Sequence, residues 1–177
     1  MNLFFRLLCL LLVALLSRGK KAESYRQPST LRLTVAALDI DLNMHINNGR
    51  YLSLADLGRI QFLHKTGVLP GILKNRWMPL VGSVDIDYKK SIKLFQRFHI
   101  KTELMYWDEK WFYFQHTFIV NGTISAVANV KSLLIDRSRK TVPPAAVFAL
   151  LGDIPTPPEL PESIAGWVAA KAPRPTA

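Results

Sequence analysis

The sequence predicts an α+β domain in which one long helix packs against a strongly twisted antiparallel sheet of five or six strands. Between about residues 49 and 65, apolar side chains recur at spacings of three and four, which is typical of a helix. From Trp77 onward the period changes, and long aromatic or β-branched runs follow one another through very short connections, as in an antiparallel meander. Because one helix cannot cover so large a sheet, we expect a second copy to cover the rest in a dimer.

The composition limits the possible classes of protein. The chain has 177 residues, of which 49% are hydrophobic and 20% charged, so it is long and apolar enough for one folded domain. Its single cysteine, Cys9, excludes a disulfide framework and a cysteine-based zinc site within the chain. The formal net charge of +10 suits a polyanionic partner, such as nucleic acid, an anionic membrane or a phosphate-rich carrier. Alternatively, these charges only keep a hydrophobic protein soluble.

Residues 1–21 predict a membrane anchor or a helix lying in the membrane plane. Residues 3–16 are apolar except for Arg6, and this run is shorter than a spanning helix requires. A signal peptide is disfavoured because the positive charges follow the apolar run, and a helix packed on the domain remains the alternative. The charges after the run favour a membrane-associated protein with a cytoplasmic domain. These charges are Arg18, Lys20, Lys21 and Arg26.

The main domain is expected over residues 30–152, after a polar linker at 22–29. Residues 31–38 alternate at first and predict a strand. The long helix is expected from about Gly49 to Lys65, and residues 68–76 form a short basic connector.

Four runs predict the meander: residues 80–88, 95–107, 111–120 and 123–135. Asn121-Gly122 is the strongest hairpin signal in the chain. Residues 143–151 predict a short helix that begins with prolines, and residues 153–177 a Pro-rich, extended or mobile tail.

A polar loop precedes the long helix, and it carries the residues most capable of chemistry. Asp41, Asn43 and His45 alternate with Leu42, Met44 and Ile46. If the loop is extended, the three polar side chains share one face and the three apolar ones anchor the other. Asn47 or Asn48 then caps the helix, whose first amides point at the same place.

A carboxylate, an amide and an imidazole beside a helix N-terminus can activate water and stabilise an oxyanion. Each residue also has a structural interpretation. Asp41 can form an Asx turn, His45 can be a satisfied structural histidine, and Asp39 can bond the loop backbone. Asp56 on the helix is a spare carboxylate whose expected use is an ion pair with Arg59.

The run from Asp41 to Tyr51 reads D-L-N-x-H-x-N-N-x-x-Y and resembles the hotdog-fold acyl thioesterases. It is particularly similar to the loop of plant fatty acyl-carrier-protein thioesterases and to the 4-hydroxybenzoyl-CoA thioesterase-like group. The resemblance covers about residues 30–137 and includes the order of elements. It implies a hotdog fold, in which the sheet wraps round the central helix, and a homodimer or dimer of dimers with sites between subunits. It also implies hydrolysis of a fatty acyl-CoA or acyl-carrier-protein thioester without a cofactor. The apolar N-terminus resembles that of small membrane-anchored members.

By this resemblance, Asp41, Asn43 and His45 are the expected catalytic residues. No metal is expected, because no residue spacing in the sequence indicates a set of metal ligands. The expected substrate-binding residues are Asn47, Asn48, Gly49 and Tyr51. The chain has no G-x-S-x-G motif and no cysteine in this region, so water activated by Asp41 or His45 is the expected nucleophile. The plant enzymes carry a further acid and a cysteine after the next strand, whereas residues 87–92 contain no cysteine and place Ser91 near the position of the acid.

Two other classes of function remain as alternatives. A non-catalytic acyl-thioester-binding or scaffolding protein would keep the loop for structure alone. A nucleic-acid binder would use the charge, but the Lys and Arg residues are scattered and show no RNA-binding motif, so we expect no nucleic-acid partner.

Overall fold

The computed structural model describes residues 5–8, 12 and 22–170, and within them a six-stranded antiparallel sheet. The strands are β1 (Ser29–Thr34), β2 (Met78–Tyr88), β3 (Arg97–Trp107), β4 (Phe112–Val120), β5 (Thr123–Ile135) and β6 (Thr141–Val142). The main order is β1-β3-β4-β5-β2, and β6 pairs with β5. Strands β1 and β2 therefore form the two edges of this path.

The helices are α1 (Asn48–Lys65), α2 (Leu69–Lys74), α3 (Pro144–Phe148) and α4 (Glu162–Ala170). Two single 3₁₀ turns, Ala37–Asp39 and Ala149–Leu151, precede the polar loop and follow α3.

Helix α1 is the centre of the hydrophobic core. Its first half buries Tyr51 and Leu54 among strand residues that include Ile100 and Phe118. The Tyr51 ring lies edge-on to Phe118, with ring centroids 4.9 Å apart. Its second half buries Phe62 in a separate aromatic cluster near the other end of the sheet. Burial of each large apolar side chain stabilises the fold by about 1.5–3 kcal/mol, so α1 and the sheet hold each other in place.

Gly58 brings α1 close to the middle of the sheet. A Cβ atom at this position would lie 2.7 Å from Thr102 Oγ1 and 3.4 Å from His116 Nδ1. The Thr102 hydroxyl and His116 Nδ1 are themselves hydrogen-bonded at 3.0 Å, and both side chains are buried. Burial, with a smaller contribution from the charge of Arg59, holds the pKa of His116 well below its usual value. His116 is thus a neutral core residue.

The long elements of the sequence prediction are confirmed. Strand β5 has the predicted bounds, and helix α1 begins one residue before the predicted start. Asn121 and Gly122 both have positive φ, 48° and 77°, as a two-residue hairpin turn requires. The proline-led helix is present as α3 and its following 3₁₀ turn. The antiparallel sheet and the long central helix are therefore as expected.

Three local predictions are wrong. The predicted connector at 68–76 contains helix α2, with Pro70 in its first turn. The first strand ends at Thr34, and the chain then turns into the 3₁₀ turn instead of continuing to residue 38. The tail is not extended over Glu162–Ala170, where α4 buries Ile164 and sets Trp167 edge-on to Tyr113 at 6.0 Å. Tertiary packing thus orders segments whose local sequence signals are weak.

The described N-terminal residues are helical and contact the domain. Arg6 is buried and Leu7 packs against the core cluster around the first half of α1. Most of the predicted anchor, including residues 13–21, lies outside the described residues. Within the described part of the chain, no helix is both long enough and apolar enough to cross a membrane.

The buried His116 predicts a pH-dependent stability. Because its pKa in the folded protein is lowered, the unfolded chain binds a proton that the folded protein excludes, so stability falls as pH falls below about 6.5. The slope from this group reaches at most about 1.4 kcal/mol per pH unit. Urea unfolding between pH 5 and 7.5 should show a shallower slope for His116→Gln than for the unmodified protein. Equal slopes would contradict a neutral buried His116.

Candidate active site

The polar loop is a small β-like hairpin. Asp41 N–H donates to His45 C=O at 3.0 Å, Ile40 pairs with Ile46, and Asn47 N–H donates to Asp39 C=O at 2.9 Å. The returning arm also pairs with the segment after β2, since Ile46 N–H donates to Ile92 C=O at 2.8 Å. The returning arm is therefore held on both sides by backbone hydrogen bonds.

The tip of this hairpin is a tight turn, so the expected extended alternation is wrong. Asn43 N–H donates to Asp41 Oδ1 at 2.8 Å, and Met44 N–H donates to Asp41 C=O at 3.1 Å. Met44 adopts a positive φ of 59°. Leu42 and Met44 are exposed and anchor nothing, whereas Ile46 is buried as expected. The turn reverses the chain, so residues four apart face each other across it.

The reversal brings Asp41 and His45 together. Asp41 Oδ1 lies 3.7 Å from His45 Nδ1, and the same ring nitrogen lies 3.4 Å from Ile46 C=O. Both neighbours of Nδ1 are acceptors, which favours the tautomer with the proton on Nδ1 and a basic lone pair on Nε2. Asn43 is exposed at the turn, and its side chain makes no hydrogen bond within the described residues. The three predicted catalytic residues thus form one pair and one exposed neighbour.

The start of α1 follows directly. Asn47 is the cap: its Oδ1 accepts from Gly49 N–H at 2.9 Å, and its C=O accepts from Arg50 N–H at 2.8 Å. The Gly49 amide is therefore already bonded. Among the described residues no acceptor is found for the Asn48 amide, which is the first-turn donor available to a ligand.

A polar pocket of about 150 Å³ lies between this helix start and the end of β2. Its lining includes His45, Asn48 and Tyr51 from the predicted site. The remaining lining residues are Ile46, Tyr88, Lys89, Lys90 and Ser91. Asp41 and Asn43 do not line this pocket, so of the three predicted catalytic residues only His45 reaches it directly.

Two tyrosines shape the pocket. Burial, followed by the proximity of Tyr88, raises the pKa of Tyr51 to about 12, so its hydroxyl stays protonated at neutral pH. Tyr88 lies edge-on to Tyr51, with ring centroids 5.1 Å apart, and donates its hydroxyl to Asn48 C=O at 3.0 Å. The sequence did not predict Tyr88 as a site residue. It is the last residue of a strand with alternating apolar side chains, and that pattern does not mark it as different from the others.

Asp39 lies at the base of the hairpin and holds the residues around it by hydrogen bonds. Its carboxylate is fully buried and accepts from Arg6 Nη2 at 2.7 Å, from Arg50 Nη2 at 2.9 Å and from Ala36 N–H at 2.9 Å. Burial raises the pKa of Asp39, but the hydrogen bonds and the two arginines outweigh it and leave the pKa below its usual value. Asp39 is therefore a charged structural residue.

Asp56 forms the expected ion pair with Arg59, one turn further along α1. Burial raises the pKa of Asp56, and the opposing effect of Arg59 does not cancel this. Both side chains line a second pocket of about 160 Å³ that reaches Val81 and Val84 of the edge strand β2. Asp56 is thus a second carboxylate beside a pocket, on a different face of α1.

Comparison with known protein families shows which family this chain belongs to. A sequence profile of the Thioesterase-like superfamily matches residues 35–168. The chain belongs to this superfamily. The resemblance found in the loop and the order of elements is therefore confirmed.

Named relatives of this superfamily member include Protein THEM6 of Xenopus laevis, 29% identical over 132 residues, and Protein THEM6 of Drosophila melanogaster, 31% identical over 139 residues. The alignments cover 73% and 75% of this chain. They span 62% and 67% of the respective relatives.

Solved structures of low sequence identity share the fold. The Escherichia coli probable thioesterase YbaW superposes with a TM-score of 0.62 at 19% identity, covering 71% of this chain and 97% of that one. The Staphylococcus aureus protein SAV2348, solved in complex with CoA, superposes with a TM-score of 0.64 at 18% identity, covering 82% of this chain and 96% of that one. The superfamily member described here therefore has the hotdog fold.

Proposed function

We propose that the protein hydrolyses acyl thioesters with a water molecule activated by His45. The observation that carries this proposal is the Asp41–His45 pair beside a pocket at the start of α1. Membership of the Thioesterase-like superfamily supports the reaction class.

In this mechanism Nδ1–H of His45 donates to Ile46 C=O, which orients the ring, and Nε2 removes a proton from water. The Asp41 carboxylate, 3.7 Å from Nδ1, stabilises the imidazolium that forms. The hydroxide attacks the thioester carbonyl, and the Asn48 amide donates to the developing oxyanion. Collapse of the tetrahedral intermediate breaks the carbon–sulfur bond, and His45 returns its proton to the leaving thiolate. The products are a carboxylic acid and a free thiol. His45 is the base because it lines the pocket and Asp41 does not.

The carrier we propose bears phosphate, as in acyl-CoA or acyl carrier protein. Lys89 and Lys90 line the pocket, and Lys93 pairs with His45 across the neighbouring backbone. Lysine side chains at the rim of a site are suited to phosphate groups. The structure of SAV2348 in complex with CoA supports this choice.

Replacing the base should abolish most of the hydrolysis. We expect His45→Gln to lower kcat about a hundredfold or more, because general-base catalysis supplies about that factor. Asp41→Asn should cause a smaller loss, since it removes the negative charge that stabilises the protonated ring. Thiol release from acyl-CoA esters of several chain lengths measures both effects, and Asp153→Asn, an exposed carboxylate in the tail, is the matched control.

Full activity in His45→Gln together with loss in Asp56→Asn would move the base to the second pocket. Binding of acyl-CoA without thiol release by the unmodified protein would instead favour the non-catalytic binding or scaffolding function.

We further propose a homodimer formed through the free edge of β2. This strand is an edge of the sheet and exposes Met78, Leu80 and Val81. An exposed apolar edge strand is a template for pairing with another chain. The second pocket, beside Asp56, lies against the same strand.

Light scattering after gel filtration should give about 40 kDa, twice the 20.0 kDa of the chain. Leu80→Lys places a charge on the proposed interface and should shift the mass toward that of one chain. Ile154→Lys is the control, because Ile154 is also exposed but belongs to the tail, outside every strand. A dimer that survives Leu80→Lys would place the interface elsewhere.

Membrane association through the N-terminal segment is also proposed, with the helix lying in the membrane plane. Arg6 and Leu7 face the domain, whereas Phe5, Leu8 and Leu12 are exposed at spacings of three and four. One helix face thus contacts the protein while another presents apolar side chains.

Flotation with anionic phospholipid vesicles tests this arrangement. The unmodified protein should float with the vesicles, and the variant carrying Phe5→Ser, Leu8→Ser and Leu12→Ser should not, because it loses the apolar face while keeping Arg6. Leu73→Ser serves as an exposed-leucine control. If the triple variant floats as well as the unmodified protein, the membrane contact lies elsewhere.

A further inference from the structure

The carboxylate of Asp39 joins three segments that are distant in sequence. One arginine, Arg6, comes from the N-terminal segment, and the other, Arg50, comes from the first turn of α1. Arg6 and Asp39 expose 2% and none of their side-chain surfaces. Arg6 Nη2 also donates to Thr34 C=O at 2.8 Å, at the end of β1. The N-terminal segment is therefore connected by one guanidinium to both ends of the short connection between β1 and the polar loop.

This cluster is costly for the fold. Two guanidinium groups share one carboxylate, and Arg6 Nε, Arg6 Nη1 and Arg50 Nε are buried without an acceptor among the described residues. Buried charges lose hydration that their mutual attraction repays only with excellent geometry, so a cluster of this kind is a weak source of stability. What it supplies is a unique arrangement of the groups that it connects.

The arrangement that it holds is the loop of the candidate site. The same Asp39 accepts the Asn47 amide on its backbone carbonyl, and Asn47 caps α1 two residues after His45. Arg50 lies two residues after Asn48, whose amide faces the ligand in the proposed mechanism. Movement of Asp39 would therefore shift the base and the oxyanion donor together.

We propose that Arg6 is a positioning residue of the active site, acting through Asp39 to hold His45 and the first turn of α1 in register. The N-terminal segment is then part of the catalytic architecture in addition to any role at a membrane. This inference rests on the proposed thioesterase function for its kinetic consequence, but its structural consequence can be measured without substrate.

The test compares Arg6→Met, Arg6→Lys and the control Arg32→Met in the full chain. Arg32 is an exposed arginine on β1, so its replacement removes the same charge without touching Asp39. Hydrogen exchange reports the amides of residues 39–49, and thiol release from acyl-CoA reports kcat and KM, with kcat normalised to the folded fraction.

We expect Arg6→Met to speed exchange in residues 39–49 about tenfold or more while the later turns of α1 keep their protection. Its kcat should fall about tenfold to a hundredfold with little change in KM, because a misplaced base and donor affect the transition state more than binding. Arg6→Lys keeps the charge and should recover part of both losses. Arg32→Met should match the unmodified protein.

Exchange and kcat in Arg6→Met equal to those of Arg32→Met would overturn the proposal, as would faster exchange spread evenly over the whole domain. If Arg6→Met does not fold, Arg6→Lys decides, because an ammonium cannot reproduce the planar contact and should still loosen residues 39–49. An unmodified protein that releases no thiol would refute the proposed function alone, since the exchange measurement tests Arg6 independently.

Discussion

A carboxylate without solvent contact must be compensated by charge and hydrogen bonds, and in this protein Asp39 is compensated from three directions. Its partners belong to the N-terminal segment, the residue that precedes the 3₁₀ turn, and the first turn of α1. Because these segments meet at Asp39, its carboxylate helps to fix the geometry of the polar loop. The rest of the site follows from where the loop begins and ends.

The hairpin form of the loop explains why the site is both exposed and ordered. Its tip is held by an Asx turn, and its returning arm pairs with the segment after β2. This backbone pairing holds the hairpin while the side chains of Asp41 and His45 lie at a partly exposed surface instead of in the core. A base needs access to water and substrate, whereas its orientation needs a rigid support, and this arrangement provides both.

The large elements could be predicted because their sequence signals are local. The bounds of β5 follow from β-branched periodicity and from Asn121-Gly122, and the start of α1 follows from its Asn47 cap. Helices α2 and α4 were missed because proline, glycine and small residues obscure their periodicity, and packing supplies their order. The extended loop was predicted only from the alternation of polar and apolar residues. The chain instead turns at Met44, which has a positive φ, so the alternating side chains do not lie on two opposite faces.

By itself, the sequence determined the antiparallel sheet, the long helix and the identity of the polar residues that precede it, because periodicity and capping act between near neighbours. Only the tertiary structure decided which of those residues meet. His45 lines the pocket, whereas Asp41 contacts His45 without lining it. Tyr88, at the end of β2, also lines the pocket. The tertiary structure also brought Arg6 onto Asp39 across 33 positions. Contacts between segments so far apart depend on how the helix packs in the sheet, and no local pattern encodes that.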